Sequence, residues 1–377
     1  MNIFYNTLKL KIMKKNHVLI LAVLFTAFNV QIANAKIWRV NNKSNYNGTS
    51  LYGDNLGGTA SYPVFAQIDQ AVGWASTADN DTIYVEGSTS VYTYTTLTKK
   101  LVLIGTGYFL TENPKTTNDV LESKITRIYV NVAGCQIIGM NVAYISNTAD
   151  GIVYISANDV TVKRCRLEKG VQFATSLTNV YILENFFSSV LNTNAFFTNG
   201  NSGFVPPTNI TFNNNICQKV LTWNAWPIQQ CNNNVFDGPA NVLNLQFTTS
   251  EFTNNILKPT NASVNINSGN TEKLTYNIGT SATQFGTANG NKVVADMTTL
   301  FVTAGTTDGK YKLQTNSPGS HNGSDGTDRG AFGGSVVSNR YTLSGLAAIP
   351  VIYKLTTSGV ATQQDGLSVT ISARTIK

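Results

Sequence analysis

The feature that most constrains this chain is a short strand-like stretch that recurs about every 20 residues with asparagine at one fixed place. The stretches Gln136 to Val142, Val160 to Arg166, Val180 to Phe186, Ile210 to Ile216, Gln229 to Val235, Ser250 to Ile256 and Glu272 to Ile278 align on a common sixth position. That position holds Asn141, Cys165, Asn185, Asn215, Asn234, Asn255 and Asn277, at steps of 24, 20, 30, 19, 21 and 22 residues. Three places earlier stand Ile138, Val162, Ile182, Phe212, Cys231, Phe252 and Leu274, all apolar. One place later come Val142, Arg166, Phe186, Ile216, Val235, Ile256 and Ile278, all apolar but one.

Alternation of period two around a fixed asparagine describes a short strand, a sharp turn and another short strand. Asparagine suits such a turn because it tolerates the left-handed region and can bond its own backbone. Stacked at the strand spacing of about 4.8 Å, these turns form an asparagine ladder up the side of a coil. The fold expected is therefore all-β, a right-handed parallel β-helix, a solenoid of about ten coils. An antiparallel sandwich would also show short alternating strands, but it gives no reason for the same turn residue in every repeat. Earlier coils are visible in Thr82 to Val85, Leu101 to Ile104 and Ile128 to Val132.

Solenoid ends expose apolar core and unpaired backbone, so both need covering. Residues 64 to 78 place Phe65, Ile68, Val72 and Ala75 at helical spacing and predict an N-terminal capping helix. Beyond the last clear coil, residues 311 to 334 are rich in turn formers, and Val351 to Leu355 and Leu367 to Ser372 read as a closing β cap. The domain plan is thus a leader over residues 1 to 35, the solenoid with its N-terminal cap over 36 to 334, and a C-terminal β tail over 335 to 377.

The leader is read from Lys14 and Lys15, the apolar run Val18 to Phe28 and the small-x-small site Ala33-Asn34-Ala35. The run is too short for a bilayer span, so no membrane span is expected in a mature form beginning at Lys36. Four of the 27 basic residues lie in that leader and none of the 20 acidic ones do, which leaves the remainder near neutrality. No nucleic-acid partner is expected from so balanced a charge. One histidine, His321, remains beyond the leader, which excludes mechanisms needing two imidazoles. Cys135, Cys165, Cys217 and Cys231 show no metal-ligand spacing and fall at different phases of the repeat. They are expected to be small buried thiols, with Cys217 and Cys231 the one pair to check for a bridge.

The chain resembles the secreted right-handed β-helix repeat proteins of the pectate-lyase-like superfamily, as found in Bacteroidetes-type bacteria. The likeness is carried by the entry Phe65 to Val85, the asparagine-turn coils, and Ser317-Pro318 followed by the run Gly326 to Gly333. It covers nearly the whole mature chain and implies a secreted or cell-surface protein with carbohydrate-directed functions as the commonest role, but its motifs specify architecture and do not supply catalytic residues.

Three functions follow in order. The first is a polysaccharide-binding protein, expected to act as a monomer, in which an insertion carrying Phe196 and Phe197 stands beside Trp223, Asn224 and Trp226 on the next coil. Sugars stack on aromatics while amides bond their hydroxyls. The second is a polysaccharide lyase acting by β-elimination on uronates. Arg164 or Arg166 would be its base, Glu184 or Glu168 a cation ligand, and Ca²⁺ its cofactor. In the alignment Arg164 and Glu184 sit at one position on adjacent coils, close enough to pair as a plain ion-pair ladder. No carboxylate cluster for calcium is evident, so no cofactor is required by the sequence. An inverting glycosidase would need paired carboxylates, which the sequence does not show. The third is a structural or adhesive envelope protein.

Overall fold

The computed structural model describes residues 35–42, 58–74, 76–116, 120–191, 193–198, 203–220, 227–239, 244–247, 251–260, 262–266, 273–357 and 366–375. Among these residues nearly all regular structure is β, in three long sheets of eleven, nine and five strands whose pairings are all parallel. The chain visits the sheets in rotation. Val160–Lys163 lies in the long sheet, Arg166–Leu167 in the nine-stranded sheet and Gly170–Phe173 in the third. Thr178–Leu183 then returns to the long sheet directly beside Val160–Lys163. Each strand pairs with its counterpart one turn later, an arrangement consistent with a parallel β-helix.

The register agrees with the repeat from Val162 onward. Val162 pairs with Ile182, Ile182 with Phe212, Cys231 with Phe252 and Phe252 with Leu274. These side chains point inward and are almost fully buried, and Phe212, Phe236 and Phe252 stack with successive centroids 6.2 Å apart. Each such phenyl removes enough apolar surface from water to contribute about 2 kcal/mol. The first repeat is shifted by one residue: Val162 pairs with Ile137, not Ile138, and Asn141 pairs with Arg166. Gly139 takes the left-handed turn there (φ 67°), so Met140 and not Asn141 stands in the register of Cys165.

The turns divide the labour between two residues. The left-handed backbone belongs to the residue before each ladder position: Arg164, which precedes Cys165, and Glu184, Asn214, Asn233, Asn254 and Tyr276, which precede asparagines, have φ between 55° and 60°. The ladder asparagine instead turns its amide into the coil. Asn185, Asn215, Asn234, Asn255, Asn277 and Asn291 are buried and linked amide to amide. Each Oδ1 accepts from the backbone N–H of the coil before it, as Asn234 does from Asn215 at 2.8 Å. Each Nδ2 donates to a carbonyl of the preceding coil, as Asn234 does to Phe212 at 2.8 Å. Buried polar groups are thereby satisfied in a column through the interior. Asn291, only 14 residues after Asn277, extends the column beyond the repeat.

The residue after each ladder asparagine does not enter the coil. Phe186, Ile216, Val235, Ile256 and Ile278 face outward from the nine-stranded sheet, yet all are buried. They are covered by the C-terminal segment through Leu300, Phe301, Tyr311, Ala331 and Tyr341. Gly330 has φ 80°, and a Cβ there would stand 2.8 Å from Ile256 Cδ1. The Gly326 to Gly333 run thus lets backbone lie directly on the solenoid wall. Arg329, almost fully buried, donates to the carbonyls of Asn277, Gly290 and Asn322. At the other end of the segment the Tyr341 and Tyr108 hydroxyls meet at 2.6 Å beside buried Asp308, whose carboxyl is pushed up by desolvation.

A helix at Ile68–Gly73 packs Ile68, Ala71 and Val72 against the first strands, shorter than the span of residues 64 to 78 suggested by spacing. Phe65 lies in a strand, Val64–Phe65, before it. Toward the other terminus Pro350–Thr357 and Val369–Thr375 form an antiparallel pair. All four cysteines are free and buried. No helix among the described residues is long and apolar enough to cross a membrane.

Candidate functional site

Alternation along the long sheet leaves one residue in two pointing away from the core. On four successive strands this yields a row of Tyr181, Thr211, Gln230 and Glu251, paired neighbour to neighbour. A second row holds Leu183, Asn213, Asn232 and Thr253. Four strands at about 4.8 Å spacing make a floor roughly 14 Å long, running along the solenoid axis. Ser324, Asp325, Gly333, Gly334, Ser335, Val336 and Asn339 rise beside it as a wall. The result is an open groove of about 570 Å³, within the range of sites that hold small ligands.

The wall is tied to the turn column. Asn214 donates to the carbonyls of Ala331 and Gly333 at 2.9 Å, and Asn254 exchanges bonds with both Ser324 N and Ser324 Oγ. Between them, the Oδ1 of Asn233 is enclosed in the groove lining with no hydrogen-bond partner. Burial works to raise the pKa of Asp325, but bonds from Thr327 Oγ1 at 2.7 Å and Thr327 N at 3.0 Å outweigh it and lower the value. Asp325 is accordingly a carboxylate at neutral pH. The lining therefore presents a half-buried tyrosine, amides, hydroxyls and carboxylates.

The expected lyase residues do not assemble around this groove. Arg164 is buried, with Nε 2.6 Å from Glu184 Oε2 and Nη1 3.1 Å from the Leu346 carbonyl. Glu184 lines the groove floor but also holds Lys163 Nζ at 2.8 Å, so two cations occupy its carboxylate. The ion pair fastens the C-terminal segment to the turn, as the alignment of Arg164 with Glu184 suggested for a ladder. Arg166 lies on the nine-stranded sheet, paired with Glu168 at 3.0 Å and set over the Phe109 ring at 4.9 Å. Glu168 accepts from Tyr144 N. Among the described residues no three His, Cys, Asp or Glu side chains converge as a metal site.

The expected aromatic platform is divided by the same alternation. Phe196 turns inward, 5% exposed, against Phe173 and Phe212. Phe197 turns outward and lies under Lys169. Trp223, Asn224 and Trp226 lie outside the described residues. His321 is exposed beside Ser320 and Asp328, its backbone N–H bonded to Asp328.

The groove residues Tyr181, Gln230 and Glu251 belong to stretches already aligned in the sequence, one place out of phase with the positions that drew notice. Asp325 comes from the terminal turn-rich run. No protein-family model, curated protein sequence or solved structure matches this chain.

Proposed function

We propose that this is a secreted or cell-surface protein that binds a polysaccharide in the groove on its long sheet. On this reading the strands wind as a right-handed β-helix of about ten coils, with residues 1 to 35 as an export leader. The Ile68–Gly73 helix and the C-terminal β pair serve as its two caps. The observation that carries the reading is the groove itself: open at the surface, elongated along the stacking axis, with Tyr181 as a ring face among Thr211, Asn213, Gln230 and Asn232. Sugars present weakly apolar ring faces edged by hydroxyls, and an aromatic set among amides matches both. A groove running across successive parallel strands also repeats its polar groups at a regular interval, which suits a polymer of like units.

Affinity electrophoresis through gels containing soluble glycans tests this directly. Retardation by at least one polymer, abolished by Tyr181→Ala and weakened by Gln230→Ala, is the expected result. Unchanged migration over neutral and acidic polymers alike would remove the reading. Incubation of the same acidic polymers with protein and calcium addresses the lyase alternative. Ultraviolet-absorbing unsaturated products that vanish in Arg164→Ala or Arg166→Ala would put elimination in place of simple binding.

A further inference from the structure

We infer that leader removal completes a site for the new chain terminus, in which the α-ammonium of Lys36 pairs with buried Asp81 and fastens the first strand of the long sheet. This rests on the reading of residues 1 to 35 as a leader cut after Ala35. Water breaks the bond between the Ala35 carbonyl carbon and the Lys36 nitrogen, its hydroxyl going to the Ala35 carboxyl and its hydrogen to the nitrogen. The free amine then takes up a proton at neutral pH, because an α-amino group titrates at about 8. The compact unit that holds the fold begins at the same residue, Lys36.

Asp81 is placed to receive that charge. Ile37–Val40 runs parallel to Thr82–Val85 with Ile37 opposite Thr82. One residue earlier on both, Lys36 N donates to Asp81 Oδ1 at 2.7 Å. The other oxygen accepts from Trp38 Nε1 at 2.8 Å and from Ala78 N at 2.9 Å. Asp81 is 2% exposed. Burial works to raise its carboxyl, but the bonds from Ala78 N, Lys36 N and Trp38 Nε1 outweigh it and hold the value below the ordinary carboxylate range. Among the described residues no salt bridge reaches Asp81. The Lys36 ammonium stands over the Trp38 ring, 5.6 Å from its centroid, and acts on Asp81 only from a distance. A full negative charge is thus held by three neutral donors, and cleavage turns one of the three into a cation where it stands. Charge-assisted bonds are roughly twice as strong as neutral ones. Desolvation is what ordinarily weakens a buried pair. Here Lys36 and Ile37 are exposed, so the remaining ammonium hydrogens stay at the surface.

The test exports the full chain from a bacterial host in two forms, native and with Gly-Ser inserted after Ala35, and reads each new terminus by intact mass. The insertion keeps every side chain of the fold and carries the ammonium about 7 Å farther along the chain. Acylation of the terminal amine at pH 7 should be at least about tenfold slower in the native protein than in the inserted one. Urea unfolding should give the native protein a folded-to-unfolded ratio about five- to tenfold higher, the gain from a charged donor over a neutral one. That gap should close when both forms also carry Asp81→Asn. If this variant does not fold, acylation and unfolding of the two forms that keep Asp81 decide the matter. A native chain that starts at Lys36 yet acylates as fast as the inserted one, or a stability gap that survives Asp81→Asn, overturns the inference and leaves the leader reading standing. A purified native chain that starts at any other residue removes the leader reading and the inference with it.

Discussion

Asn234→Ala is the sharpest test of the buried amide column. In the native coil the Asn234 Oδ1 accepts from Asn215 N at 2.8 Å and from Asn215 Nδ2 at 3.1 Å. Its Nδ2 donates to the Phe212 carbonyl at 2.8 Å and to Asn255 Oδ1 at 2.9 Å. Alanine removes all four. Asn215 Nδ2 keeps a bond to Ile182 O, and Asn255 Oδ1 keeps one from Asn234 N, so those losses are partial. The buried Asn215 N–H loses its acceptor and the Phe212 C=O loses a donor. At about 1 to 3 kcal/mol for each buried group left unsatisfied, the expected destabilisation is about 2 to 6 kcal/mol. Guanidinium unfolding followed by circular dichroism measures it, with Gln229→Ala on the exposed face as control. Amide exchange should rise in the coils on either side, because solenoid stability is carried by neighbour interfaces. Asn234→Asp keeps the acceptor but sets a carboxylate against two oxygens, so it should be as damaged near neutrality and recover as acid protonates it. An alanine variant within about 0.5 kcal/mol of the control would refute the reasoning.

Three further outcomes follow from the core and its cover. Burial pushes the Cys165 and Cys217 thiols up to about 12 and raises Cys135 and Cys231 as well, so the native protein should exclude a maleimide while the unfolded chain takes up four. Because the folded values lie above the unfolded value of 9.0, the unfolded state loses these protons first. Stability should therefore hold below pH 9 and fall as pH rises toward 12, with a shallower fall in Cys165→Ala, measured by urea midpoints across that range. Gly330→Ala imposes a Cβ at φ 80° against Ile256 and should cost about 1 to 3 kcal/mol, read as a lowered Tm with faster exchange in residues 300 to 347. An unchanged Tm would mean that the segment does not press on the wall as described.

The repeat was legible from Val162 to Leu274 because inward side chains in a parallel stack must be apolar at every level, and that demand is written once per coil. It failed at Ile138, where Gly139 takes the turn that Arg164 and Glu184 take later and so displaces the pattern by one. The outward stripe from Phe186 to Ile278 read as ordinary core, since hydrophobicity reports burial and not which side of a strand is buried. Its cover lies far along the chain, in a run whose composition showed only turn formers. The groove was harder still. Tyr181, Gln230 and Glu251 are unremarkable residues singly, and they become a floor only through register across strands 19 to 30 residues apart.

The C-terminal segment has a bearing on how such a chain can change length. An uncovered solenoid can gain or lose a turn by duplication or deletion, because each level sees only its neighbours. Here one strap crosses the levels from Phe186 to Ile278 and is fastened at both extremities, by Tyr341 to Tyr108 and by Arg329 to Asn277 and Gly290. Inserting one turn between those anchors would separate them by about 4.8 Å and carry Gly330 off Ile256. The strap acts as a ruler: it sets the number of turns between its anchors, and the groove it walls inherits that length.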